Sequence, residues 1–290
     1  MPLISIVLFS AAVIGFGAAF SLTNIAVSSI SPLWVAAGRS LVALLSLGAF
    51  LLLRGRPITI STALVPAYLS VGMLTGVVPY ILISWGQQFI PSSLGGVLFA
   101  SVPLLTLLFG FTLFKVQRPN FAAMGGAIIG LGGVALAFAS PAELSVSVLH
   151  GATATIFAAA SYAISGLFIQ RQNITDIAAF STVQLVPASI ILFLIAWFGS
   201  GAQLSEATPT SWIALVVLGL VGTSIPLLSL FALVGREGAK TASLTTFFIP
   251  FVALMIGVFF LGESFSATAL LGLLIALAGA YWMKFARHEA

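Results

Sequence analysis

Charge is the scarcest thing in this sequence. Of 290 residues, 6% are Asp, Glu, Lys or Arg and 60% are hydrophobic, whereas a soluble domain carries roughly 25% charged residues. A water-facing surface cannot be assembled from that material, so the chain belongs in a bilayer. Cysteine is absent, which excludes disulfides, thiol nucleophiles and cysteine-ligated metals. Two histidines, His150 and His288, are too few for a histidine-based zinc or di-iron site, and no cofactor is implied. The ten Lys and Arg form no basic run and do not interleave with aromatics on one face, so nothing points to nucleic acid. The opening run MPLISIVLF has no Lys or Arg to make the n-region of a cleaved signal peptide; it reads as a retained first span.

What the chain does have is long apolar runs. A membrane-crossing helix needs about 20 mostly apolar residues. Cutting at charges, prolines and Ser/Thr/Asn clusters gives segments of that size at 3–22, 33–53, 63–87, 92–114, 119–139, 149–170, 176–198, 211–234, 240–261 and 265–285. The least marked cut is QQFIPSS, where only Pro91 separates two segments; merged, they would far exceed the thickness of a bilayer. With the N-terminus inside, Arg54, Arg56, Lys115, Arg118, Arg171, Arg236, Lys240, Lys284 and Arg287 all fall on the inner side, as the positive-inside rule requires. The tenth cation, Arg39, lies within a span. The expectation is an all-α integral membrane protein of ten transmembrane helices, both termini cytoplasmic.

Sliding the chain against itself by 147 residues pairs 67–139 with 214–286 and produces twelve identities. Six are residues that shape helices: Gly72/Gly219, Pro79/Pro226, Pro103/Pro250, Gly110/Gly257, Gly125/Gly272 and Gly132/Gly279. Each half holds five spans, an odd number, so the second half must enter the membrane upside-down. That is the inverted repeat of secondary transporters, with the substrate site near the midplane, and it divides the chain into 1–140 and 141–290.

SPLWVAAGRSLVALLSL, with Pro32 and Arg39, resembles the second span of the drug/metabolite transporter superfamily in its EamA-type branch. TASLTTFFIPFVALMIGVFFLGESFSATALLGLLIALAGAYW is closer still: Pro250 matches the mid-helix proline, Gly262-Glu263 the Gly-Glu turn, and Gly272 and Gly279 the glycines of the last helix. In the first half LFKVQRPN departs from the pattern by lacking the Gly-Glu turn. The resemblance implies export or exchange of small metabolites, often amino acids or aromatic compounds, across a bacterial inner membrane. The partners expected are a small-molecule substrate and lipid, with the monomer as the working unit.

No Asp or Glu falls inside a span, which argues against a carboxylate proton relay. GREGAKT at 235–241 lacks the glycine spacing of a P-loop, which argues against an ATP-driven pump, and no polar catalytic cluster near an interface points to an enzyme. His150 reads either as an interfacial histidine or as a titratable group. Pro79, Pro103, Pro226 and Pro250 cannot donate to the carbonyl four residues earlier and so release those of Thr75, Phe99, Gly222 and Thr246. These prolines are either packing kinks or helix-breaking, gating elements whose freed carbonyls face an acceptor-rich cavity suited to an ammonium group. Around them sit the candidate substrate-binding residues: Tyr80, Trp85, Phe99, Ser161, Tyr162, Gln184, Thr245 and Thr246. Arg39 either attracts a substrate carboxylate or holds helix ends together; the structural role is the one expected. Glu263 marks the turn before the last helix, with Ser264 or Ser266 as that helix's N-cap.

Overall fold

The computed structural model describes residues 1–55, 58, 60–115, 121–138, 145–172, 174, 176–200, 206–242, 244–264 and 266–286. Arg56, Arg118, Glu143, Arg287, His288 and Glu289 lie outside them. Among the described residues there are helices and no strands. Seven helical stretches are long and apolar enough to cross a membrane: α1 (Leu3–Val27), α2 (Pro32–Leu53), α3 (Thr62–Gly86), α4 (Ser92–Thr112), α6 (Val146–Ile169), α7 (Ile177–Ser200) and α8 (Pro209–Gly238). Three shorter apolar helices complete the set: α5 (Phe121–Phe138), α9 (Thr245–Leu261) and α10 (Ala267–Ala286).

Local chemistry sets the boundaries. Pro32 and Pro209 open α2 and α8 at the first helical position, where a missing N–H costs nothing. Ser145, Asp176, Thr208 and Ser266 accept from Val148, Ala179, Ser211 and Ala269 N–H and cap α6, α7, α8 and α10. Gly262, at φ 66, ends α9 in the left-handed conformation. Boundaries differ from expectation in places: α9 starts at Thr245 rather than 240, and α1 runs on to Val27 through TNIAV. Its polar side chains are satisfied inside the bundle, Thr23 by the Ala19 carbonyl (2.6 Å) and Asn24 by the Gln87 carbonyl (3.0 Å), so they do not break the helix.

Four stretches are not uniform; α7 is one, turning at Gln184 between Val183 and Leu185. α3 widens into a π-helical turn at Gly72–Val77, immediately before Pro79, and α8 does the same at Leu220–Ser224 before Pro226. A π turn shifts the backbone bonding by one residue, as in Val78 N–H to Met73 O and Ile225 N–H to Leu220 O. The proline is absorbed without a broken end. α4 is interrupted between Phe99 and Val102, just ahead of Pro103. Pro250 is the exception among the four, since α9 passes through it without interruption.

α5 and α10 pack on each other along their glycines. A Cβ on Gly133, Gly272 or Gly279 would collide with the partner helix backbone at Ala276, Ala137 and Gly130 respectively, the close approach that small residues permit in membranes. The rest of the bundle is built from α1 against α8 and α9, α2 against α7, α3 against α6 and α4 against α9. Outward side chains such as Leu53, Phe198 and Phe260 are more than four-fifths exposed and form the lipid-facing surface.

Candidate functional site

The helices enclose a cavity of about 290 Å³, near the lower bound of roughly 300 Å³ for small-molecule sites. Its lining comes from α1, α2, α3, α4, α6, α7, α8 and α9. The walls are aromatic and aliphatic. Phe20, Phe99 and Tyr162 follow one another edge to face, with ring centroids 5.5 Å and 5.4 Å apart, and Phe16, Phe180, Phe231 and Ile249 continue the apolar surface. The polar groups are Arg39, Thr75, Tyr80, Tyr162, Ser181, Gln184, Thr223 and Thr246.

Arg39 is the one charged side chain of that lining and is 5% exposed. Its Nε donates to Thr223 Oγ1 at 2.9 Å, and its guanidinium lies 4.2 Å from the centre of the Tyr80 ring. A cation–π contact of this kind contributes about 2 kcal/mol when desolvated. Thr223 belongs to the π turn of α8, and its hydroxyl also donates to the Leu218 carbonyl at 2.9 Å, meeting a carbonyl that the wide turn leaves open. Across the cavity Thr75, in the π turn of α3, donates to Gln184 Oε1 of α7 at 2.9 Å. Each π turn thus holds a polar side chain from a neighbouring helix by a threonine hydroxyl.

Of the expected binding residues, Tyr80, Phe99, Tyr162, Gln184 and Thr246 come together here. Three stand elsewhere. Trp85 is 39% exposed and packs against Phe89 and His150. Ser161 donates to Leu74 O at 2.8 Å, satisfying the α3 π turn from α6. Thr245 donates to Ala242 O at 2.7 Å and is buried in the start of α9. None of Pro79, Pro103, Pro226 and Pro250 lines the cavity, yet three of the residues whose carbonyls they release, Thr75, Phe99 and Thr246, do. Arg39, expected as a structural residue, is on the cavity wall. Phe16, Phe20, Ser181 and Thr223 carried no mark in the sequence; Phe16 and Phe20 are two of 24 phenylalanines, and a Thr beside a mid-helix proline is the signal that could have found Thr223.

The two ends of the cavity differ. At the end where α1 begins, the lining reaches Ile169, the last residue of α6, and Thr246, in the first turn of α9. Toward the opposite end it stops at Phe20 in α1, a helix that continues to Val27. Hydrogen bonds close that far end: Ser21 Oγ to Ser92 Oγ at 3.0 Å, Asn24 Nδ2 to Gln87 O, and Ser211 Oγ to Ile25 O at 3.0 Å. Glu263 completes the closure. Its Oε1 accepts from Ser92 N–H and Ser92 Oγ, both at 2.8 Å, and its Oε2 from Ser93 N–H at 2.9 Å. The carboxylate therefore caps α4, where the helix dipole and free N–H groups favour negative charge, and ties the α9–α10 turn to it. A second cleft of about 450 Å³, between α2, α7 and α8, is lined almost wholly by apolar side chains and has no charged one.

A model of the EamA-like transporter family matches the chain twice, over residues 3–139 and 149–285. The chain belongs to the EamA-like transporter family. Its relatives include the uncharacterized transporter YoaV of Bacillus subtilis, 23% identical over 265 residues that cover 90% of each chain. The uncharacterized inner membrane transporter YedA of Escherichia coli is 27% identical over 252 residues, covering 87% of this chain and 81% of that one. A crystal structure of a protein 18% identical to this EamA-like chain superimposes with a TM-score of 0.65, covering 95% of this chain and 98% of the other; at that identity the likeness concerns the fold. Membership in the family makes this EamA-like chain a multi-pass membrane transporter.

Proposed function

We propose that this EamA-like chain is a secondary transporter that exports small metabolites, amino acids first among them, across the inner membrane by alternating access. The observation that carries the reading is the central cavity, built jointly by helices of both halves and closed at one end. Ten crossings in two inverted halves, 1–140 and 141–290, are supported by features that recur 147 residues apart. The π turn at Gly72–Val77 recurs at Leu220–Ser224, and the left-handed residue Lys115 (φ 50) recurs at Gly262 (φ 66). The double match of the family model, 3–139 and 149–285, is offset by one residue less than the repeat.

In this reading both termini are cytoplasmic, the monomer is the working unit, no cofactor takes part, and the conformation is open inward. The lining has no Asp, Glu or His, so flux runs down the substrate's own gradient or by exchange, without a carboxylate that loads and unloads a proton. Purified protein in liposomes containing unlabelled threonine, methionine or phenylalanine is expected to take up the labelled form by saturable counterflow, with or without a pH gradient. Uptake of a sugar or a cationic dye in place of all three amino acids would overturn the substrate class. Flux that neither saturates nor counterflows would make the protein a channel.

A further inference from the structure

We infer that the cavity is selective for organic monoanions, an apolar or aromatic body bearing one carboxylate, with Arg39 as the anion subsite. The inference rests on the transporter reading for its setting and departs from it on substrate, placing monoanions ahead of the zwitterionic amino acids.

Three observations carry it. First, Arg39 is nine-tenths buried yet has no counter-ion in the lining, which contains no carboxylate among the described residues. Burial leaves a guanidinium charged where it can neutralise a lysine, so Arg39 places a positive charge on the cavity wall. Removing such a charge from water costs several kcal/mol after relaxation. Second, the hydrogen bond from Nε to Thr223 and the contact with Tyr80 hold the guanidinium in place. Nε–Thr223 is its one hydrogen bond among the described residues, which leaves the terminal nitrogens of the fork for a ligand. That planar array matches a carboxylate in a bidentate pair. Third, the remaining polar groups, Ser181, Gln184 and Thr246, are neutral, and the rest of the wall is the aromatic series from Phe20 to Tyr162.

A monoanion neutralises the cavity on entry. A zwitterion brings the same carboxylate but adds an ammonium beside the Arg39 charge, with only neutral hydroxyl and amide oxygens to meet it. A cation adds like charge to like. Hydrocinnamate, phenylalanine and phenethylamine share one ring and differ in charge, so they separate these cases. The experiment measures thermal stabilisation of the purified full-length protein by each compound, and counterflow of each in liposomes. Hydrocinnamate is expected to give half-maximal stabilisation at a concentration at least tenfold below the other two. Arg39→Gln is expected to erase that difference, and Thr223→Val to reduce it a few-fold by freeing the guanidinium. If Arg39→Gln does not fold, the ranking on the unaltered protein and on Thr223→Val decides. Equal or stronger stabilisation by phenylalanine or phenethylamine, or none by any of the three, overturns the inference. The expected ranking without counterflow of any compound sustains the anion subsite and overturns the transporter mechanism instead.

Discussion

The crossing of α2 over α8 and the crossing of α7 over α3 are two versions of one joint. In each, a glycine lets the helices touch: Gly72 lies against the Gln184 carbonyl and Gly219 against Val42 and the Arg39 carbonyl. In each, a π turn precedes a proline, and a threonine of that turn holds a polar side chain, Gln184 in one case and Arg39 in the other. Backbone geometry is shared while side-chain charge is not. The positions that must be common to both joints are those where a Cβ or an N–H would obstruct; the position that differs is the one that lines the cavity. The same contrast runs between α1 and α6. α1 packs on α3 and α4 at the far end, whereas α6 makes no substantial packing with α8 or α9 at the near end, where the cavity lies between them.

The most damaging way to break the first comparison is Gly72→Leu. The side chain would drive into the backbone of α7, which cannot turn aside, so loss of several kcal/mol and of monodisperse protein is expected. Gly219→Leu meets Val42 Cβ and Cγ1, both at 2.5 Å; a Cβ moves only with its own backbone, so a loss of the same order is expected, as read by paired thermal melts.

The second comparison is sharpened by Ser21→Cys/Ser92→Cys, whose hydroxyls are 3.0 Å apart, in a chain with no other thiol. Oxidation is expected to lock the far end and lower counterflow at least tenfold, with recovery on reduction; unaltered flux through the oxidised protein would exclude opening at that end. Glu263→Gln retains the shape of the latch but removes its charge, and charged hydrogen bonds contribute about 1.5–3 kcal/mol each. Faster labelling of a single cysteine placed at Ser93 is the expected sign of a loosened closure. The smallest effect belongs to Lys115→Gly. Lys115 holds φ 50 where its counterpart is a glycine, so relief of that strain is expected to stabilise the protein by no more than about 1 kcal/mol.

Much of this architecture was legible because lipid imposes a length and water imposes a charge. The ends of α2, α3, α4 and α6 fall within a few residues of where apolar runs stop. The paired prolines also announced that something recurs in α3 and α8. What they could not convey was its form: two prolines sit behind π turns, one behind a break, and Pro250 in an uninterrupted helix. The difference lies in which hydroxyls and neighbouring helices meet the freed carbonyls, a three-dimensional matter. The cavity was legible where a residue is rare. Tyr80, Tyr162 and Gln184 stand out in an apolar chain, whereas Phe16 and Phe20 do not. Trp85 was equally conspicuous and belongs to the far surface, since amphipathic rings serve a membrane interface as readily as a cavity. Glu263 showed its boundary position in sequence but not its reach to α4, because Ser92 is 171 residues away.

The glycine seam between α5 and α10 has an entropic consequence. Ordering a long side chain at an interface forfeits up to about 2 kcal/mol of rotamer freedom, and Gly or Ala forfeits none. Where Gly133, Gly272 and Gly279 meet the opposite backbone, no side-chain torsions are frozen when the helices pack. Adhesion at those contacts depends on surface fit, with no rotamers to order.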